Sequence, residues 1–353
     1  MGCHGAHAVE PEATQIPVTV AGSSIFRLLN DFQRGFPLVD RPFAALAAAC
    51  GLREDEVLDA LHAWRASGVI SRVGAVFAPR RIGASALAAL AAPAERLEEI
   101  AARVSAVAEV NHNYQREHAY NLWFVVTAAS SGRLQDIVAG IERDTRCGVI
   151  VLPLEEEFHI DLGFDLTGGG AARGGSRDAV ILAQPIATEA CALPGLEREL
   201  MRALQDGLPL ESRPFDALGR RAGISEAMVI ELLERWLAEG IVKRFGIVVR
   251  HHELGFHANA MCVWDVPDEG VSRVGRLLAA EQAVTLCYRR RRVLPGWPYN
   301  LFCMIHGRSR EAVHAARADI AARLGLDRWA HDVLFSCRRF KQQGACYLTD
   351  ASR

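Results

Sequence analysis

No stretch of the 353 residues reaches the roughly 18 consecutive apolar positions that a membrane-spanning helix needs. The N-terminal MGCHGAHAVEPEAT lacks the basic segment and apolar core of a signal peptide, so the expected location is the cytoplasm and no membrane partner is expected. The nine cysteines stand singly, without a Cys-x-x-Cys pair, which excludes a disulfide framework, a zinc ribbon and an iron–sulfur site. The phosphate loop, the dinucleotide glycine fingerprint and the nucleophile elbow are missing as well. Charge of either sign is not in excess: 40 Lys and Arg against 42 Asp and Glu leave a net −2. A polyanionic partner must therefore be met by local basic clusters. What is present is 50% apolar residues in a chain long enough for two or more cores.

A long internal repeat organises the chain. Gly35-Phe-Pro-Leu-Val-Asp-Arg-Pro-Phe43 recurs as Gly207-Leu-Pro-Leu-Glu-Ser-Arg-Pro-Phe215, an offset of 172 that also aligns Trp64 with Trp236, Gly68 with Gly240, Arg72 with Arg244 and Gly74 with Gly246. Further on, Tyr114-Gln-Arg116 matches Tyr288-Arg-Arg290 and Tyr120-Asn-Leu122 matches Tyr299-Asn-Leu301, with five extra residues between them in the second copy. This is the pattern of a tandem duplication. Between the copies, the glycine-rich stretch from Thr167 to Ser176 has almost nothing to bury and reads as a linker.

Each copy opens with helical patterns over 42–50 and 54–67 that stop at Gly51 and Gly68, followed by an alternating, β-branched run over 69–77. Helix, turn, helix and strand pair make a winged helix-turn-helix. Strands are expected over 86–91, 107–114, 120–127 and 149–155, with helices over 94–104 and 133–145. That order is a ferredoxin-like βαββαβ unit, an open sandwich. The expected class is α+β, with a disordered terminus (1–24), helix-turn-helix modules (25–80 and 195–250), ferredoxin-like domains (81–165 and 251–348) and a linker (166–194).

The second helices of these modules are poor DNA readers. A recognition helix meets phosphates with Lys, Arg or neutral polar residues. Here Glu54, Asp55, Glu56 and Asp59 occupy that position in one copy, and Glu226, Glu231 and Glu234 in the other. Like charges oppose docking, so no DNA partner is expected and the modules are assigned to packing.

Two polar clusters stand out. Asn111-His-Asn-Tyr-Gln-Arg-Glu-His-Ala-Tyr-Asn-Leu-Trp123 is read as a hairpin turning over 116–119, with Tyr114 and Tyr120 on paired strands. It gathers His112, His118, Tyr114, Tyr120 and Arg116. Its counterpart runs Cys287-Tyr-Arg-Arg-Arg-Arg-Val-Leu-Pro-Gly-Trp-Pro-Tyr-Asn-Leu301. Four consecutive arginines repel one another unless anions compensate them, guanidinium forks grip carboxylates, and Trp and Tyr faces cover flat rings. Together the clusters point to a planar, multiply anionic ligand, and the two imidazoles suit one that carries its own iron. His159 and the pair His251-His252 are less specific, and Cys3, His4 and His7 sit on the terminus.

Each half resembles the leucine-responsive (AsnC-type) regulator architecture. The motif His112-Asn-Tyr-x-Arg-x-His-x-Tyr-Asn-Leu-Trp123, together with Cys287-Tyr-x-Arg, Pro295-Gly-Trp-Pro-Tyr-Asn-Leu-Phe302 and the stretch His251 to Pro267, is similar to the two subunit types of sirohaem decarboxylase, here fused into one chain. The resemblance covers about residues 25–165 and 195–348. It implies conversion of sirohaem to 12,18-didecarboxysirohaem, with loss of two carbon dioxide molecules, for haem d1 or an alternative haem route. It also implies that no cofactor or metal of the protein's own is needed, the iron being the substrate's and taking His112 or His118 as a ligand. Acid–base chemistry then falls to His112 or His118, with Tyr114 and Arg116 beside them. Substrate binding falls to Arg289, Arg290, Arg292, Tyr288, Trp297, Tyr120, Asn121, Trp123, Tyr299 and Asn300. The alternatives are an AsnC-type transcriptional regulator and a haem-binding sensor; a homodimer remains open.

Overall fold

The computed structural model describes residues 23–78, 82–160, 195–249 and 258–344. The linker at 166–194, the first 22 residues with Cys3, His4 and His7, and His251-His252 lie outside the described residues.

The first helical module comprises α1 (Ser24–Asp31), α2 (Pro42–Cys50), α3 (Glu54–Ser67) and strand β1 (Ile70–Phe77). A proline at the first position starts α2, and left-handed Gly51 and Gly68 stop α2 and α3, as the sequence pattern requires. The second module repeats it as α6 (Gly195–Leu204), α7 (Pro214–Ala222), α8 (Glu226–Ala238) and β6 (Val242–Val249). Among the described residues neither module forms the strand pair expected within its own wing. Instead β1 and β6 pair with each other, antiparallel, with Gly74 opposite Gly246. These two glycines stand at equivalent positions of the repeat, so the register itself describes a pseudo-dyad. A side chain on Gly246 would run into the carbonyls of Phe32 and Gln33. Both modules share one core, in which Phe43, Leu61 and Val73 pack with Phe215, Trp236 and Ile247.

The rest of the first half is β2 (Ala84–Leu90), a short 3-10 turn (Ala94–Arg96), α4 (Leu97–Ala106), β3 (Val110–Arg116), β4 (Leu122–Ala128), α5 (Ser131–Thr145) and β5 (Val149–Ile160). The second half has β7 (Ala258–Trp264), α9 (Val271–Ala279), β8 (Val284–Arg290), β9 (Leu301–Gly307), α10 (Arg310–Leu324) and β10 (His331–Gln342). Tyr120 lies in the turn rather than on the paired strand, because Trp123 is the residue opposite Tyr114.

The open sandwiches expected from the sequence are closed. β5 runs twelve residues, well past position 155, and pairs with β8; β10 pairs with β3, so the strands form one barrel in the order β10-β3-β4-β2-β5-β8-β9-β7. Helices α4 and α5 cover one sheet and α9 and α10 the other. Between the sheets a fourth cluster joins Trp123, Leu152, Met261, Val263, Phe302 and Leu334. The exchanged strands also trade side chains: Phe158 of β5 enters the second half's helix-covered core, and Phe340 of β10 packs on the first half's. No helix among the described residues is long and apolar enough to cross a membrane.

Gly275 of α9 has no room for a Cβ, because the Phe158 ring occupies that space. Gly275→Ala should therefore overpack this core and cost about 1–3 kcal/mol, read by urea unfolding. Adding Phe158→Leu should recover part of the loss; two independent, additive losses would contradict the contact.

Candidate functional site

Strand alternation sorts β3 cleanly. Asn113 points to α4, donating to Ala101 O at 3.1 Å and Ser105 Oγ at 3.0 Å. His112, Tyr114 and Arg116 therefore share the opposite face, toward the barrel interior. The His112 and Tyr114 rings stack at 6.3 Å, and the Arg116 guanidinium lies 5.9 Å from the Tyr114 centroid. Arg116 is buried and donates Nη1 to Leu334 O at 2.9 Å, while its Nε has no partner. No carboxylate pairs with it among the described residues. Desolvation pushes its pKa down to about 10, which still leaves it charged at neutral pH.

His112 is half-buried, and desolvation of its ring together with the positive charge of Arg72 pushes its pKa down to about 4. In the ligand-free chain the ring is neutral at pH 7.

The second half repeats the pattern with one change. Tyr288 and Arg290 stand where Tyr114 and Arg116 stand, and Arg290 donates Nη1 to Leu152 O at 2.8 Å, as Arg116 does to Leu334 O. Its guanidinium covers the Tyr288 ring at 4.9 Å. Burial pushes the Tyr288 phenol up to about 12. Leu286 replaces His112. Beside Tyr288 in the register, Glu157 receives both its bonds from Lys243 of β6, at 2.6 Å to Oε1. The equivalent rung of the first half pairs Tyr114 with Arg339.

Several residues expected to hold ligand are engaged within the protein. Arg289 pairs with Glu155 and Asp268, each at 3.0 Å, and Arg292 with Asp265 and Asp268, each at 2.7 Å. Arg291 faces Glu155 at 3.4 Å. The repulsion within the arginine run is thus relieved by three carboxylates close to it in space. Asn121 and Asn300 are backbone clamps. Asn121 bonds Ala92 N and O at 2.9 and 2.8 Å, and Asn300 bonds Val266 N and O at 3.0 and 2.9 Å, the same device in both halves.

Trp123 and Trp297 present no open face. Trp297 is wholly buried, 4.9 Å from Trp123 and 5.0 Å from Tyr299, with His118 at 5.4 Å and Tyr120 at 6.2 Å. The five extra residues of the second copy fold over the first half's hairpin, and the indole plugs that end of the barrel. His118 accepts from Tyr120 N at 2.9 Å, stacks on Tyr120 and faces Asp332 Oδ2 at 3.6 Å. The structure therefore separates the two histidines: His112 with Tyr114 and Arg116 on the strand, His118 with the aromatic plug at the turn. Sequence reading missed Arg72 and the acidic partners Glu155, Asp265, Asp268 and Asp332. Arg72 was visible as a repeat match, but nothing in the chain order places it beside His112.

No group of three or more His, Cys, Asp or Glu side chains suited to a metal ion occurs among the described residues. Paired helix-turn-helix modules joined to a mixed α/β barrel define a protein of AsnC-like architecture. Residues 81–159 and 253–341 match the AsnC-like ligand binding domain, and residues 27–70 and 197–242 match the siroheme decarboxylase NirDL-like HTH domain. The chain is 44% identical over 319 residues to the "Siroheme decarboxylase NirDL subunit" of Paracoccus denitrificans, covering 90% of this chain and 95% of that one. A crystal structure of the siroheme decarboxylase NirDL superposes with a TM-score of 0.68 at 28% identity, over 93% of this chain and 95% of that one. A second one, in co-complex with an iron-uroporphyrin III analogue, gives 0.66 at 28% identity, over 93% and 94%. This chain belongs to the sirohaem decarboxylase family.

Because the folded pKa of His112 lies below the ordinary 6.5, the unfolded chain binds more protons between about pH 6.5 and 4. Stability is fully present above that window and falls as pH drops through it, by on the order of 2–3 kcal/mol from this group. His112→Gln should lose that share of acid sensitivity. Urea unfolding at pH 7 and pH 4.5 checks it: equal losses in wild type and variant would contradict the burial of this imidazole.

Proposed function

We propose that the chain is a carboxy-lyase that takes sirohaem to 12,18-didecarboxysirohaem, releasing the C12 and C18 acetate carboxylates as carbon dioxide. The observation that carries this reading is the buried, uncompensated Arg116 beside Tyr114 and a neutral His112, in a member of the sirohaem decarboxylase family. A guanidinium buried without an internal carboxylate is a site for an external one, and the tetrapyrrole substrate is ringed with them. The iron-uroporphyrin III analogue bound by a solved relative is a ligand of the same chemical class. The product feeds haem d1 or an alternative haem route.

In each decarboxylation the bond between the acetate methylene and its carboxylate breaks, and the electron pair passes into the protonated macrocycle. A proton then adds to the methylene carbon and the macrocycle gives up the one it had taken, so that one proton is consumed overall and a methyl group is left. Nothing is oxidised overall, so the chemistry asks for no cofactor beyond the substrate itself. Arg116 holds a carboxylate. An anionic substrate supplies the opposite charge that raises the pKa of His112, so that the imidazole, neutral in the free chain, takes up and delivers the proton. His118, 3.6 Å from Asp332, is the second candidate donor. The apolar interior around Leu152 and Leu334 favours loss of charge from the reacting acetate.

One working site per chain, in the first half, fits the asymmetry. The second half has Leu286 in place of His112, and its Glu157–Lys243 pair stands where an anionic substrate would approach Tyr288. For the fold, the reading is a tandem duplication of a helix-turn-helix module and a ferredoxin-like domain, within the boundaries given above. The strand order of each half and the β1–β6 register support it. No DNA partner belongs to this reading: Asp55, Glu56 and Asp59 are exposed on α3, and Glu231 and Glu234 on α8.

Anaerobic incubation of the purified chain with sirohaem should lower the tetrapyrrole mass by two carbon dioxide units. Tight binding with the mass unchanged would instead mark a sensor. His112→Ala should reduce turnover on the order of a hundredfold or more while changing sirohaem affinity little; undiminished turnover in both His112→Ala and His118→Ala would remove the acid–base assignment.

A further inference from the structure

The reaction outlined above leaves one cation at the site unused. Arg72 comes from β1 of the first helix-turn-helix module, yet its head reaches the barrel. A Cβ on Gly344 would stand 2.8 Å from Arg72 Nη1, and Gly344 lies two residues beyond Gln342, which pairs with His112. The same end of β10 is tied to β3 by Gln343 N donating to Asn111 O at 2.8 Å.

The stem of Arg72 is held as firmly. A Cβ on Gly207 would lie 2.8 Å from Arg72 Cβ and 3.2 Å from Cδ. The turn between α6 and α7, with Gly207 at φ +93°, therefore closes directly over the aliphatic chain. One of its N–H groups is used, Nη2 donating to Ala75 O at 3.1 Å, and Nε is buried without a partner. No carboxylate forms an ion pair with it among the described residues; Asp206 acts on it only as a more distant charge. Its counterpart Arg244 is spent inside the protein, on the carbonyls of Gln33 and Ile247. Arg289, Arg291 and Arg292 are neutralised by carboxylates. Arg72, whose charge acts on His112, and Arg116, over the Tyr114 ring, are thus two guanidiniums whose charge no described carboxylate pairs with.

We propose that Arg72 is a substrate-binding residue, a guanidinium that the wing of the helix-turn-helix module brings into the barrel to take one side-chain carboxylate of the tetrapyrrole beside His112. The assignment rests on the decarboxylase reading and deepens it. It gives the helix-turn-helix module, whose acidic helices oppose DNA, a part in recognising the substrate. The rigid stem means little side-chain entropy is lost when the carboxylate arrives, and a planar fork suits that partner better than a flexible ammonium.

The probe is iron-uroporphyrin III, titrated by absorbance into the full chain, with sirohaem turnover measured in parallel. Arg72→Gln should weaken probe binding about ten- to a hundredfold and raise KM for sirohaem more than it lowers kcat. Arg72→Lys, which keeps the charge but not the fork, should recover part of the affinity, and the ligand-free melting temperatures of both variants should stay within a few degrees of wild type. Unchanged affinity in Arg72→Gln overturns the proposal. So does an equal loss in both variants accompanied by a lowered melting temperature, the mark of a structural role. If the wild-type chain neither binds the probe nor converts sirohaem, the decarboxylase reading itself fails. If wild type does both and Arg72→Gln matches it, only the role of Arg72 falls.

Discussion

The exchange of last strands between the halves is the constraint from which the rest follows. β5 leaves its own sheet to pair with β8, and β10 returns to pair with β3. Neither four-stranded sheet keeps an open edge there, and the unpaired backbone groups that an edge exposes are satisfied by the other half. The same exchange carries Phe158 and Phe340 into the opposite cores and places Leu152 O under Arg290 and Leu334 O under Arg116. Each tyrosine–arginine pair is therefore set by both halves: one supplies the two side chains, the other the carbonyl that orients the arginine.

Charge in this molecule is sorted by whether a partner is supplied internally. The arginine run at 289–292 looks like the strongest anion trap in the chain, yet Glu155, Asp265 and Asp268 neutralise most of it. The less conspicuous Arg72 and Arg116 form no ion pair with a carboxylate among the described residues. A buried cation without a counter-ion is costly, and such groups persist where a ligand supplies the opposite charge. The lowered pKa of His112 belongs to the same arrangement, because desolvation and the Arg72 charge both disfavour its protonation.

The two halves keep the same scaffolding while differing in the side chains set on it. The Asn121 and Asn300 clamps, the Gly74–Gly246 contact and the arginine-to-carbonyl bonds are the same in both. The differences lie around the tyrosine–arginine pairs: His112 against Leu286, Arg339 against Glu157, and a plug loop carrying Trp297 in one half only. Scaffold positions are held by backbone hydrogen bonds that few side chains can make.

Local signals were legible along the chain because they are local physics. The bounds of α2 and α3, their glycine stops and the repeat itself follow from periodicity, capping and backbone freedom. The cluster of His112, Tyr114 and Arg116 on one strand face follows from the two-residue period of a strand. Which strands close the barrel did not follow, since a sheet edge is satisfied equally by solvent, by a second copy or by its own other half. Nor did the fate of each arginine, because ion pairs such as Arg292 with Asp265 join residues 27 positions apart. Burial of Trp297 and the approach of Arg72 to His112 were likewise decided by tertiary packing, where distance in space replaces distance along the chain.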